Sequence, residues 1–111
     1  MKTKTEIKPY KDLDDATCGV AKTIKIIGSK WTMLILRDLF EGKKRFGELQ
    51  RSLTGISTKT LTVRLQELER DKLIKRKVYP VVPMKVEYSL TPRGESLKNI
   101  IDDMRAWGDS H

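Results

Sequence analysis

The run from Ile56 to Arg70 sets the tightest limit on what this chain can become. Leu61, Leu65 and Leu68 recur at helical spacing and share one face. Ser57 suits the N-cap, because its hydroxyl can accept from the free N–H groups of a first turn. The spacing therefore predicts a helix with Thr58 at the border of the apolar side. Lys59, Thr60, Val63, Gln66, Glu67 and Arg70 lie opposite. The first turns offer hydroxyls, a methyl-bearing side chain and a cation, with no carboxylate before Glu67. A helix whose N-terminal half enters a major groove needs that composition: donors and acceptors for base edges, a methyl for thymine, no negative charge against phosphate. A surface helix with a merely solvated polar face has the same pattern. The flanking sequence separates the two.

After the helix the period changes from 3.6 to 2. Ile74, Arg76 and Val78 alternate with Lys75, Lys77 and Tyr79; further on, Val86, Tyr88 and Leu90 alternate with Lys85, Glu87 and Ser89. Pro80-Val81-Val82-Pro83 between them cannot stay in a central ladder and is expected as a loop. A hairpin directly after a candidate recognition helix is a wing. Upstream, Gly47 to Leu53 predicts a short helix with Leu49 and Leu53 inward, and Thr54-Gly55-Ile56 a tight turn. Short helix, glycine turn and capped helix have the spacing of a helix-turn-helix. Lys43 to Phe46 fits a short extended piece.

The N-terminal half supplies the support. Residues 1–13 are polar, lysine-rich and interrupted by Pro9, a composition expected of a flexible arm. Asp14 and Asp15 precede a helix over about 18–27, with Val20, Ile24 and Ile27 on one side. Ser29 can cap a second helix, about 30–41, where Trp31, Leu34, Ile35 and Leu39 make a broad apolar face. Gly42 closes it. Residues 14–111 are thus expected to form one domain, mainly α with a small antiparallel β-hairpin wing.

The last segment opens with Thr91 as N-cap, Pro92 at the first helical position and Glu95 in the first turn. Leu97, Ile100, Ile101, Met104 and Trp107 form one stripe over about three turns. Such a stripe can pack on its own domain. Arriving after the domain is built, it also suits pairing with a second copy, the commonest oligomer.

Charge follows this layout. The chain has 23 Lys+Arg against 15 Asp+Glu, a formal net charge of +8, which favours a polyanionic partner. Residues 71–94 hold six basic and two acidic residues, whereas residues 95–111 hold two basic and four acidic. Positive charge gathers at the winged end and falls away at the pairing helix. With one cysteine, Cys18, and one histidine, His111, the chain has no internal disulfide, no thiolate metal site and no catalytic constellation. No cofactor, no metal and no enzymatic activity are expected. No run approaches a membrane span and no signal peptide is evident, so no membrane partner and a cytoplasmic location are expected.

Taken together, these pieces resemble the HxlR-type regulators, bacterial winged helix-turn-helix transcription factors related to the MarR proteins. The resemblance runs from about Cys18 to Trp107. It rests on Gly28-Ser29-Lys30-Trp31, Ile35-Leu36-Arg37-Asp38-Leu39, Arg45-Phe46-Gly47-Glu48-Leu49 and Gly55-Ile56-Ser57. Leu61-Thr62-Val63-Arg64-Leu65-Gln66-Glu67-Leu68, Pro83, Val86-Glu87-Tyr88-Ser89-Leu90-Thr91 and Gly94 complete it. Gly19 stands where the family usually has proline, and Lys72 where a glycine commonly follows the recognition helix. The resemblance implies a homodimer, built through the first and last helices, that binds pseudo-palindromic operators in promoters; a repressor is the expected role, although the residues themselves do not separate repression from activation.

The expected interface to double-stranded DNA therefore comprises Ser57, Thr58, Lys59, Thr60, Val63 and Arg64 on the recognition helix. Arg64 would meet guanine at the groove floor or phosphate at its edge. Lys75, Arg76, Lys77 and Lys85 on the wing, with Lys43, Lys44 and Arg45, would follow the minor groove or the backbone. The expected dimer face takes Val20 and Ile24 from the first helix and Leu97, Ile100, Ile101, Met104 and Trp107 from the last. Cys18 opens a helix with Lys22 one turn on, a setting that favours a reactive thiol. Many family members carry a cysteine here that resembles a sensor, which implies an oxidant or electrophile as effector. A small buried hydrophobe is the other fate of a lone cysteine, and release by a small apolar ligand is the competing mode of regulation. A winged-helix module that binds RNA or a protein is the alternative function.

Overall fold

The computed structural model describes residues 18–111. The expected arm over 1–13 and the acidic residues Asp14 and Asp15 lie outside the described residues. Helices α1 (Gly19–Ile27) and α2 (Lys30–Leu39) lead to strand β1 (Lys44–Arg45) and helix α3 (Phe46–Ser52). Helix α4 (Thr58–Arg70) follows, then β2 (Ile74–Tyr79), β3 (Lys85–Leu90), α5 (Pro92–Glu95) and α6 (Lys98–Ser110).

The core lies where α2, α3, α4 and the base of the hairpin meet. Ile35 and Leu36 of α2, Leu49 of α3 and Leu61 of α4 are fully buried; Leu65, Leu68, Leu73 and Ile74 are nearly so. Burying such side chains is worth about 1.5–3 kcal/mol each. It fixes which face of α4 turns outward.

The extended piece at Lys44–Arg45 is a strand. It pairs antiparallel with β3, so the sheet has three strands in the order β1-β3-β2, and β3 is central. The register of β2 on β3 sets Lys75 opposite Ser89, Lys77 opposite Glu87 and Tyr79 opposite Lys85 on one face. Arg76 opposite Tyr88 and Val78 opposite Val86 occupy the other. The wing's cations are therefore divided between two faces.

Helix α4 ends in a Schellman turn. The Leu73 N–H donates to the Leu68 carbonyl at 2.9 Å and the Lys72 N–H to that of Glu69 at 3.0 Å. Lys72 holds the left-handed position, φ 61°, at a cost a glycine would avoid.

The single C-terminal helix expected from Thr91 onward is two. Thr91 does cap, accepting from the Gly94 N–H at 3.1 Å, with Pro92 next. But α5 ends at Glu95, and α6 starts only at Lys98. Two causes are visible, one tertiary and one local. Gly94 lies so close to Leu73 that an added Cβ would overlap the Leu73 carbonyl, which fixes the direction of α5. Ser96 Oγ then donates to the Arg93 carbonyl, a side-chain bond that competes with helix continuation. The same seam is stitched by Thr91 Oγ1 donating to the Lys72 carbonyl at 2.6 Å and Arg93 Nε to that of Asp71 at 3.0 Å. The end of α4 and the start of the C-terminal unit are thereby one rigid joint.

Candidate nucleic-acid interface

Ser57 caps α4 as its sequence predicts. Its Oγ accepts from the Thr60 N–H at 3.0 Å and donates to Thr60 Oγ1 at 2.9 Å. Such a cap is worth about 1 kcal/mol. Thr58 Oγ1 accepts from Gln50 Nε2 at 2.8 Å, locking α3 to the first turn of α4. Ser57, Thr58, Lys59 and Val63 are exposed and Thr60 is half-buried. They form one outward patch at the N-terminal half of the helix, with no acidic residue in its first turn.

Arg64 sits apart from this patch. It is on the flank of α4, with Nη1 donating to Glu67 Oε1 at 2.8 Å. It lines a cleft with Gly28, Ser29 and Thr32 at the α1–α2 junction. Its Nε is buried with no partner among the described residues. The guanidinium is held against the body of the domain, one hydrogen-bonding edge already spent on Glu67.

On the wing, Glu87 is the centre of a charge cluster. Tyr79 donates its hydroxyl to Glu87 Oε1 at 2.8 Å. Lys43 Nζ lies 3.7 Å from Oε1 and Lys85 Nζ 3.5 Å from Oε2. Lys77 and Lys85 both sit over the Tyr79 ring, 4.9 and 4.7 Å from its centre. The Tyr79 hydrogen bond, helped by the charges of Lys43 and Lys85, holds the Glu87 carboxyl below its ordinary value against the opposing effect of burial. The same bond pushes the Tyr79 phenol up. Lys75 stands exposed on this outer face. Arg76, on the inner face, turns to Glu69 of α4 at 3.9 Å. Lys44 pairs with Glu41 at 3.6 Å. Arg45 is exposed at the start of α3, its N–H donating to Glu48. Sequence reasoning did not single out Glu87 or Tyr79; their cross-strand placement depends on hairpin register.

The expected pairing face also divides. Val20 and Ile24 of α1 are each 59% exposed, and Ile100, Met104 and Trp107 of α6 are 44, 48 and 66% exposed. Val20, Ile24, Ile100 and Met104 line one apolar groove between α1 and α6. Ile101, by contrast, is 8% exposed and belongs to the protomer's own core. Leu97 is half-buried against that core and precedes α6. Both serve the fold of one chain, because α6 must anchor before it can offer its other side. Cys18 is the half-buried N-cap of α1, its carbonyl accepting from the Lys22 N–H at 2.9 Å.

A capped helix presented after a helix and turn, with a basic hairpin beside it, defines a winged helix-turn-helix DNA-binding protein. Residues 26–111 match the model of the HxlR-like helix-turn-helix family, and the chain belongs to that family. It is 45% identical over 102 residues to the uncharacterized HTH-type transcriptional regulator YdeP of Bacillus subtilis, covering 92% of this chain and 80% of that one. Among solved structures, the redox regulator HypR in its oxidized form superposes with a TM-score of 0.81 at 44% identity, covering 85% of this chain and 97% of that one. The reduced form of the transcriptional regulator YodB from B. subtilis gives 0.73 at 37%, covering 84% and 92%. The protein is a transcriptional regulator of the helix-turn-helix type, not an enzyme. Among the described residues no helix is long and apolar enough to cross a membrane.

Proposed function

We propose that the protein is a homodimeric repressor that binds a pseudo-palindromic operator. The observation that carries this reading is the division of labour over the surface. A hydroxyl- and cation-bearing patch lies on the outward face of α4 and the wing, and a separate apolar groove lies between α1 and α6. Two copies joined through Val20, Ile24, Ile100, Met104 and Trp107 would set two α4 helices about 34 Å apart, one turn of B-form duplex.

Lys59, Thr60 and Val63 then face base edges, while Ser57 and Thr58 shape the helix start. Lys43, Lys75, Lys77 and Lys85 meet phosphates from the outer face of the wing, with Lys44, Arg45 and Arg76 at its margins. Arg64, tied to Glu67, acts at the edge of the groove by fixing how α4 sits. The test uses duplexes selected from total genomic fragments. Lys59→Ala is expected to relax preference at one base pair per half-site. Lys75→Ala and Arg64→Ala should weaken every sequence alike. Lys75→Ala alone should also reduce the salt dependence by about one counterion. If Lys59→Ala left base preference intact, or if tRNA displaced the selected duplex as well as that duplex itself does, the reading fails.

We further infer that Cys18 gives the repressor a thiol switch sensitive to oxidants or electrophiles. Two redox considerations support this: the neighbours of known structure include a redox regulator, and Cys18 opens the helix that carries Val20 and Ile24. Modification of the thiol would disturb α1 at the pairing face and change the spacing of the two reading helices. Diamide or a quinone should release DNA from the parent chain and not from Cys18→Ser. Equal response of the two proteins contradicts the switch.

A further inference from the structure

The wing ends in an apolar tip that the interface above does not use. Residues 80–84 carry no charge. Val82 is 100% exposed, Met84 69% and Val81 53%, with Val78 just behind at 45%. Exposed singly, such residues need no explanation; gathered on one projecting turn, they mark a contact surface. The turn is also stiff. Pro80 and Pro83 fix two backbone angles, two valines are restricted at χ1, and the Val81 N–H closes on the Tyr79 carbonyl at 2.8 Å. Little conformational freedom is left to lose on binding.

The surroundings indicate the occupant. Lys85 on β3 and Lys77 on β2 stand behind the tip on the outer face, with Lys75 further back on the same face. Lys85 already has Glu87 beside it, but a neutral apolar partner would desolvate Lys75 and Lys77 without pairing them. A nucleic-acid duplex offers both requirements: sugar walls for the valines and phosphate rows for the lysines. A tip lacking hydrogen-bonding side chains cannot identify bases by their edges, but it can press between them.

We propose that Val81, Val82 and Met84 form a wedge that enters the minor groove beside the segment covered by α4, and that it discriminates flanking DNA by ease of opening and bending. This rests on the duplex-binding function proposed above. Flanks with pyrimidine–purine steps such as TA and CA should be preferred, because they unstack most readily.

The test keeps the selected operator core constant and varies only its flanks: TA- and CA-rich in one duplex, G·C-rich without such steps in the other. The parent chain and Val81→Ser/Val82→Ser are compared by titration at several salt concentrations, with donor and acceptor dyes at the duplex ends to report bending. The parent should prefer the flexible flanks by about tenfold, the weight of burying roughly one valine side chain, and bring the duplex ends together. The double variant should lose the preference to within about twofold and lose the bend, while its salt dependence stays that of the parent. A parent without flank preference, or a variant that keeps it, overturns the proposal. So does a variant whose salt dependence falls, which would make the tip a support for the lysines. A variant that changes only its sedimentation would assign the tip to a second copy and likewise overturn it. If the parent failed to prefer the selected core over bulk DNA, the duplex-binding function itself would fall; retention of that preference without flank discrimination removes the wedge alone.

Discussion

Helices α4 and α6 are both 13 residues long and both amphipathic, yet they are completed in opposite ways. Helix α4 is finished inside the protomer. Leu61, Leu65 and Leu68 are buried, Ser57 caps the start, and a Schellman turn closes the end. Helix α6 has one buried residue, Ile101, and no side-chain cap on its N-terminus, and it leaves Ile100, Met104 and Trp107 outside. The comparison separates two uses of one pattern. Where the apolar stripe is consumed by the core, the polar face is free to meet a ligand. Where it is left over, the apolar face stays on the surface, and in the dimer proposed above it is the contact. The stitched joint between Lys72, Leu73, Thr91 and Gly94 ties the end of α4 to the start of α5, just ahead of α6; in the dimer proposed above, pairing at α6 would be transmitted through it as spacing at α4.

Four substitutions sharpen or break this contrast. Leu65→Ala in α4 should cost about 2–5 kcal/mol of unfolding free energy in a urea titration. A loss below 1 kcal/mol would mean that α4 is not anchored as described. Trp107→Ala in α6 should leave far-ultraviolet dichroism unchanged and weaken self-association by about 2 kcal/mol, measured by sedimentation across a concentration series. If association were unaffected, the exposed stripe would not be a pairing face. Lys72→Gly relieves the left-handed position at the end of α4 and should raise stability by about 0.5–1 kcal/mol; a decrease would show that the lysine side chain contributes more than its backbone strain costs.

The smallest effect concerns pH. Because the Glu87 carboxyl titrates lower in the fold than its ordinary value of 4.5, its stabilisation is complete above that value and is lost as pH falls through the depressed one. Tyr79→Phe removes the main cause. It should move the Glu87 titration upward in an NMR pH series and shift acid unfolding of the hairpin to higher pH. An unchanged titration would place the cause in the lysines instead.

Much of this was legible in the residues. The Ser57 cap, the leucine spacing of α4 and the alternation of β2 and β3 are local signals, and local physics decides them. The break between α5 and α6 was not, because Leu97 keeps the phase of the stripe while the interruption comes from Gly94 against Leu73, a contact between distant segments. Periodicity also could not tell Ile101 from Ile100: adjacent residues on a helix differ by about 100°, and only the position of the core chooses between them. Arg64 appeared as a base-reading candidate by its place in the run; its engagement by Glu67 and the α1–α2 cleft depends on tertiary packing. The apolar tip was recognisable as a loop from its prolines, whereas its exposure required the hairpin to project.

The central claim is that two copies hold their α4 helices at the pitch of duplex DNA. It is tested most directly by inserting five base pairs between the half-sites of the selected operator and titrating the protein onto the altered duplex. That insertion turns one half-site to the opposite side of the helix. Two copies are expected on the unaltered site, with a loss of about a thousandfold on the altered one, down to the level of bulk DNA. Undiminished binding to the altered site, or a single copy on the unaltered one, would contradict it.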